Sequence, residues 1–267
     1  FMVAPSPLLI PLSRCLQTDR RLRRKATAVA LVAVMLLAAL SCQTVLVEGQ
    51  ASLGEYPHPF ISLSGLLNCS IVVACSDGHG PCGGAHTMDV MGAVLVAGKL
   101  GICADGGTPL STMDDYIACY NPTTGTITLL DTTHNLITVG GPGVNMVTKY
   151  YNELIDGGDH ALPVYFLKDA MGVDYIYVSS SRNAYYIEYD AQNRKVADYA
   201  IIELYYDPAM GRYVLIVAGL GGEGTWAATK VLSTYEEWNL NGQAVVVKYF
   251  DSEGDGYLDT IEIVESV

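Results

Sequence analysis

Hydrophobic positions along the chain fall into three similar units, each a β-branched run, then glycines, then a helical period. The clearest unit spans residues 212–238, RYVLIVAGLGGEGTWAATKVLSTYEEW. Its residues 213–218 form a near-continuous apolar run, the pattern of a strand buried on both faces. Gly219-Leu220-Gly221-Gly222-Glu223-Gly224 reads as a loop that needs glycine freedom. From Thr225, placed as the N-cap, the spacing of Trp226 or Ala227, Val231, Leu232 and Tyr235 predicts one helical face. A second unit pairs a strand over 135–140 with a Gly140-Gly141-Pro142-Gly143 turn and a helix over 144–155. A fainter third pairs a strand over 70–74, a Gly-rich loop over 75–85 and a helix over 86–100. Three such units predict an α/β fold: a Rossmann-like mixed sheet flanked by helices.

The intervening stretches are mostly strand in character. Residues 103–115 read as a polar loop, and 117–120 with 126–130 as a hairpin around Asn121-Pro122-Thr123-Thr124-Gly125. Residues 162–218 predict a β-rich insertion with strands at 164–167, 175–179, 184–189, 199–206 and 213–218. Its tyrosines, Tyr185, Tyr186, Tyr189, Tyr199, Tyr205 and Tyr206, suit half-buried strands. Residues 244–250 and 257–264 predict a C-terminal β-hairpin. The domains expected are a leader over 1–51, an irregular lead-in or arm over 52–68, and one α/β domain over 69–267.

The pairing of ITVGGPGVN (137–145) with VLIVAG…GTWAATKVL (214–232) resembles the archaeal surface-layer (S-layer) protein family. The early unit SIVVACSDG…TMDVMGAVLVAGKLG is similar to that family's first α/β unit. The resemblance runs from about Cys69 to Glu265. It implies a cell-envelope structural protein that associates with itself or with other surface proteins, and it brings no catalytic residues with it. The expected role is therefore non-enzymatic. The alternative kept beside it is a surface binding module for glycan or cell wall, with Trp226 or Trp238 as stacking residues.

Charge is divided unevenly along the chain, and its acidic remainder suits solubility, cation binding or a salty medium as well as an ordinary acidic soluble domain. Fifteen basic residues face 28 acidic ones. Arg14, Arg20, Arg21, Arg23, Arg24 and Lys25 all precede residue 52, which leaves nine basic and 26 acidic residues, net −17, on the remainder. Such a surface repels nucleic acid and anionic lipid. The basic cluster ahead of residues 26–40, ATAVALVAVMLLAAL, has the pattern of a secretory signal, and a retained membrane anchor is the alternative. Either way the body of the protein is expected outside the cell. Five cysteines follow the leader, Cys69, Cys75, Cys82, Cys103 and Cys119, and an exported chain would tend to pair them.

Three constellations could carry chemistry. The residues 251–262, DSEGDGYLDTIE, fit a twelve-residue calcium loop: Asp251, Glu253, Asp255, Asp259 and Glu262 at places one, three, five, nine and twelve, the Tyr257 carbonyl at seven and Gly256 at six. The flanks are β, so the expectation is a calcium-stapled hairpin, with a merely acidic turn as its alternative. Cys75, His79, Cys82 and His86 have ligand types that could hold zinc, but a Cys75–Cys82 disulfide closing the loop is the expectation, with a bare surface loop as the further alternative. The glycine loop 219–224 matches G-x-G-x-x-G, which can cradle a pyrophosphate. Glu223 would face that phosphate, the unit comes late in the sheet, and the next acid lies far downstream, so close helix–sheet packing is the expected use of its glycines.

Overall fold

The structure is a computed structural model that describes residues 52–107, 110–130 and 134–267. The expected leader over 1–51 lies outside the described residues. Among the described residues no helix is long and apolar enough to cross a membrane.

The first unit is β1 (Cys69–Val73), α1 (Thr87–Cys103) and β2 (Leu110–Met113). A hairpin of β3 (Ala118–Asn121) and β4 (Thr126–Leu129) leads to β5 (Asn135–Val139) and the short α2 (Met146–Asn152). The insertion holds β6 (Ile155–Asp156), β7 (Asp159–His160), β8 (Val164–Lys168), β9 (Asp174–Val178), β10 (Ala184–Tyr185) and β11 (Glu188–Tyr189). The chain closes with β12 (Lys195–Asp207), β13 (Arg212–Gly219), α3 (Gly222–Ser233), β14 (Ala244–Phe250) and β15 (Thr260–Ser266).

The main sheet runs β15-β14-β12-β13-β5-β1-β2, with β11 paired to the start of β12 on the edge opposite β14. One half, β13-β5-β1-β2, is parallel. The other half, β12, β14 and β15, joins antiparallel. The protein is thus a mixed α/β fold built mostly of strands, with a large mixed sheet and three described helices. On one face Ile71, Ile137, Leu215 and Val247 pack under Val96 and Leu100 of α1 and Val231 and Leu232 of α3. On the other, Val72, Leu136, Ile216 and Val246 meet Val147 and Tyr151 of α2 and the small sheet β8-β9-β10. Strand β5 is buried along its whole length and β13 at every residue but the half-buried Tyr213, because helices or strands cover both faces.

Four local expectations change. Residues 52–68 are irregular in backbone, but they are no free arm. Leu53 and Phe60 are buried in the α1/α3 core, and Tyr56 rests edge-on against Tyr235. Residues 110–113, expected within a polar loop, form β2 against β1. Helix α2 ends at Asn152 rather than 155, and Ile155 starts a small hairpin instead. Helix α3 begins before Thr225, with Gly221 at the N-cap. Thr225 sits inside the first turn, where its hydroxyl accepts the Gly219 amide at 3.0 Å and donates to the Gly221 carbonyl at 3.3 Å.

Candidate functional site

The parallel strands β1, β5 and β13 all end on one edge of the sheet, and each continues into a glycine-bearing loop. The connection from β1 runs outward to β2, whereas that from β13 crosses to β14 in the opposite direction. Where connections diverge in this way, a crevice forms beyond the strand ends. Here it is a cleft of ≈ 750 Å³ lined by all three loops, by Asp89 and His86 at the start of α1, and by Asn152, His160, Phe166 and Lys168 from α2 and the insertion. Its charges are balanced: Lys149 pairs with Glu153, and Lys168 with Asp174 at 2.7 Å.

The polar groups around this edge hold the loops together. Asn145, buried, accepts the Val147 and Thr148 amides with Oδ1, at 2.9 and 3.1 Å. Its Nδ2 donates to the carbonyls of Val72 and Val139, at 3.2 Å each. One side chain thereby caps α2 and ties β1 to β5. Asp114 is fully buried and acts as a cap from a distance in sequence. Its carboxylate accepts the Met146 amide at 2.7 Å, the Cys75 amide at 3.1 Å and the His79 ring at 2.8 Å. Partial burial lowers the His79 pKa, but its bond to Asp114, aided by the Asp77 carbonyl, outweighs this and holds the ring above its usual value. At α1, His86 Nδ1 accepts the Met88 amide and Asp89 accepts the His86 amide at 2.8 Å, a reciprocal capping box. Burial raises the Asp89 carboxyl, against the lowering effect of its bonds to His86 and Thr225.

The glycine loop before α3 has an occupant from the protein itself. Asp198 of β12, fully buried, accepts the Gly221 amide at 3.1 Å and its neighbour's amide, Tyr199, at 2.8 Å. Lys195 bridges Asp198 at 3.0 Å and Glu223 at 2.9 Å. Burial would raise the Glu223 carboxyl, and the Lys195 ammonium reverses this and holds it below its ordinary range. The glycines serve close approach. A Cβ on Gly141 would stand 2.8 Å from the Gly219 carbonyl, and one on Gly224 would stand 2.7 Å from the Tyr199 carbonyl. Sequence reasoning passed over Asp198 and Lys195. The available signal was an aspartate between Ala197 and Tyr199 at the start of the long strand β12.

The Cys/His loop does not converge. His79 faces Asp114, His86 caps α1, and Cys82 Sγ points to the Pro142 carbonyl at 3.7 Å. The expected Cys75–Cys82 disulfide is not formed, because Cys82 turns toward the β5–α2 loop. All five described cysteines are free thiols. Burial, reinforced by the Asp114 charge, pushes the Cys82 thiol up to about 11, so it stays protonated and unreactive.

The acidic C-terminal loop is well formed, with Gly254 and Gly256 at positive φ. Asp251 folds inward and accepts the amides of Gly254 and Gly256, each at 2.6 Å. Asp255 accepts the Tyr257 amide at 2.9 Å, and Asp259 accepts the Ser252 amide and hydroxyl. These oxygens are of the kind calcium prefers, but they address the loop's own donors rather than a common point. Glu253 is exposed, and Glu262 sits on β15 opposite Lys248. Among the described residues no three His, Cys, Asp or Glu side chains gather as metal ligands.

Beside this loop lies a smaller hollow of ≈ 400 Å³ lined by Trp226, Tyr249, Tyr257, Arg194 and Glu223. The other tryptophan, Trp238, donates its indole N–H to Thr234 at 3.0 Å and lines neither hollow. Compared with known proteins, the chain matches no protein-family model, and no curated protein matches it.

Proposed function

We propose that the chain is a secreted, non-catalytic structural protein of the cell envelope. Its α/β domain would be Rossmann-like and similar to those of archaeal surface-layer proteins, and it would act by association with itself or with other surface proteins. One observation carries this reading. The two motifs on which the resemblance rests are neighbours: β5 and β13 pair in parallel, the Gly140 amide donates to the Val217 carbonyl at 3.0 Å, and Gly141 lies against Gly219. The motif glycines and polar residues build this junction, as a structural role requires. Asn145, Asp114 and Asp198 are engaged with backbone amides there, leaving the loops braced.

Calcium at Asp251, Glu253, Asp255, Tyr257, Asp259 and Glu262 belongs to the proposal on the strength of the sequence spacing. Binding would require Asp251, Asp255 and Asp259 to exchange loop amides for the ion. The test is electron microscopy of the full chain with calcium and with chelator. Ordered arrays that form with calcium and disperse with chelator are expected. Dispersed particles under both conditions would contradict an assembling envelope protein.

The hollow lined by Trp226, Tyr249 and Tyr257 favours a second reading, a glycan-binding surface, because aromatic faces beside charged groups suit sugar rings. The chain has two tryptophans, so a Trp238→Phe variant leaves Trp226 as sole reporter. Saturable change of its fluorescence with soluble oligosaccharides would support that reading, and a flat titration would end it.

A further inference from the structure

Helix α1 has no polar outer face. Its 17 residues, TMDVMGAVLVAGKLGIC, bury Gly92, Ala93, Val96 and Leu100 against the sheet and α3. The side turned away carries Val90, Met91, Val94 and Ile102, which are 47, 52, 66 and 82 % exposed. The charged residues of α1 leave this side clear. Asp89 is buried in the capping box, and Lys99 leans to Glu236 at 2.6 Å. A helix that is apolar all round is ordinarily covered on both sides.

We propose that a second copy of this chain covers this stripe, with the two α1 helices packed antiparallel about a two-fold axis. The inference rests on the envelope reading for its biological setting and on three local features for its geometry. First, the chain carries a formal charge of −13, so two copies repel wherever their acidic surfaces meet. The stripe is uncharged, and like copies can close there. Second, the stripe is complementary to itself. Its N-terminal half is a ridge of Val90, Met91 and Val94. Its C-terminal half holds Gly98 and Gly101, where an added Cβ would meet nothing within 4 Å. Antiparallel packing lays Met91 over Gly101 of the second copy and Val94 over Gly98, ridge into depression, and brings Val90 against the exposed Ile102, an apolar contact at each end of an isologous pairing. It also sets the helix dipoles in opposition, which is favourable. Third, the helix is about 25 Å long, and one such stripe offers less than the roughly 800 Å² per partner of a stable standard interface. The contact is therefore weak in isolation and reversible, a contact that gains strength from repetition in an assembly.

The test is sedimentation velocity of the full chain over a concentration series, beside a Val94→Asp variant. Val94 is exposed, so the variant keeps its core, as a matching circular dichroism spectrum would verify. Wild type should pass from monomer to dimer. Val94→Asp buries an unpaired carboxylate over Gly98 of the second copy, one on each side of the axis, and should weaken the dimer at least about tenfold. A Val94→Cys variant supplies the second readout: maleimide labelling of the introduced thiol should slow as concentration rises. Identical sedimentation of wild type and Val94→Asp would overturn the proposal. So would a monomer in which that thiol is shielded at every dilution, since the stripe would then be covered within a single chain. A dimer without calcium-dependent arrays would leave this contact standing and remove the envelope reading. Arrays that Val94→Asp leaves intact would do the reverse.

Discussion

Helices α1 and α3 lie side by side on the same face of the sheet and differ in what they show to water. Helix α3 buries Ala227, Ala228, Val231 and Leu232 and turns Glu223, Trp226 and Lys230 outward. Helix α1 buries Val96 and Leu100 and turns Val90, Met91, Val94 and Ile102 outward. They meet closely: a Cβ on Gly92 would stand 2.7 Å from the Thr229 hydroxyl. Their inner faces obey one rule, burial of apolar area. Their outer faces do not, and so α3 is finished as a surface helix whereas α1 is finished only when something covers it.

This contrast can be broken from the inside first. Leu100→Ala removes a fully buried side chain beneath α1 and should cost about 2–5 kcal/mol, read from the urea midpoint. Gly92→Val forces α1 away from Thr229 and should cost about 1–3 kcal/mol. A cost within about 0.5 kcal/mol for either would mean that α1 is not docked on α3 as described. Glu203 offers the mirror image of the stripe, a polar group facing an apolar core on the opposite face of the sheet. It is fully buried, accepts the Val164 amide at 3.3 Å, and has one oxygen without a partner. Burial raises its carboxyl pKa well above the ordinary value. With the folded-state value above the unfolded one, the folded chain holds a proton that the unfolded chain releases. The group's contribution is therefore complete below the usual glutamate value of about 4.3 and is lost as pH rises above it. Glu203→Gln should flatten that loss, gaining on wild type steadily toward alkaline pH. Parallel pH–stability curves would contradict the burial. The smallest effect belongs to the outer face. Val94→Ala in dilute, monomeric protein should change the melting free energy by less than about 0.5 kcal/mol, while Leu100→Ala six residues later changes it several-fold more.

Much of the frame was legible because it is local. The apolar runs at the centres of β13 (Val214–Ala218) and β14 (Ala244–Val247) are uninterrupted, and burial on both faces is what such runs require. The β3–β4 hairpin carries its turn in Asn121–Gly125, where Asn121 Oδ1 accepts the Thr123 amide at 2.9 Å. What was hidden is non-local. Strand β2 is four residues with no periodicity, and only its partner β1, on the far side of α1, makes it a strand. Residues 52–68 contain turn-forming prolines and serines. Their burial comes from Leu53 and Phe60 finding the α1/α3 core, a match that composition does not announce. Glycine loops look alike in sequence, and it took Asp198, 23 residues before Gly221, to say what fills one of them. The calcium spacing places acids correctly along the chain. It does not say that Asp251 turns toward the amides of Gly254 and Gly256. The outer stripe of α1 was present in the letters Val90, Met91, Val94 and Ile102, but the helical spacing of the whole segment obscured which side would be covered.

The most direct measurement of the central claim uses two methionines in one sample. Met91 lies on the α1 stripe and is 52 % exposed; Met171, in the β8–β9 turn, is 85 % exposed. Brief peroxide oxidation of the full chain at rising protein concentration, read by mass spectrometry, should show Met91 becoming protected while Met171 oxidises at a constant rate. Oxidation of both at rates independent of concentration would contradict the pairing of α1 with its own copy.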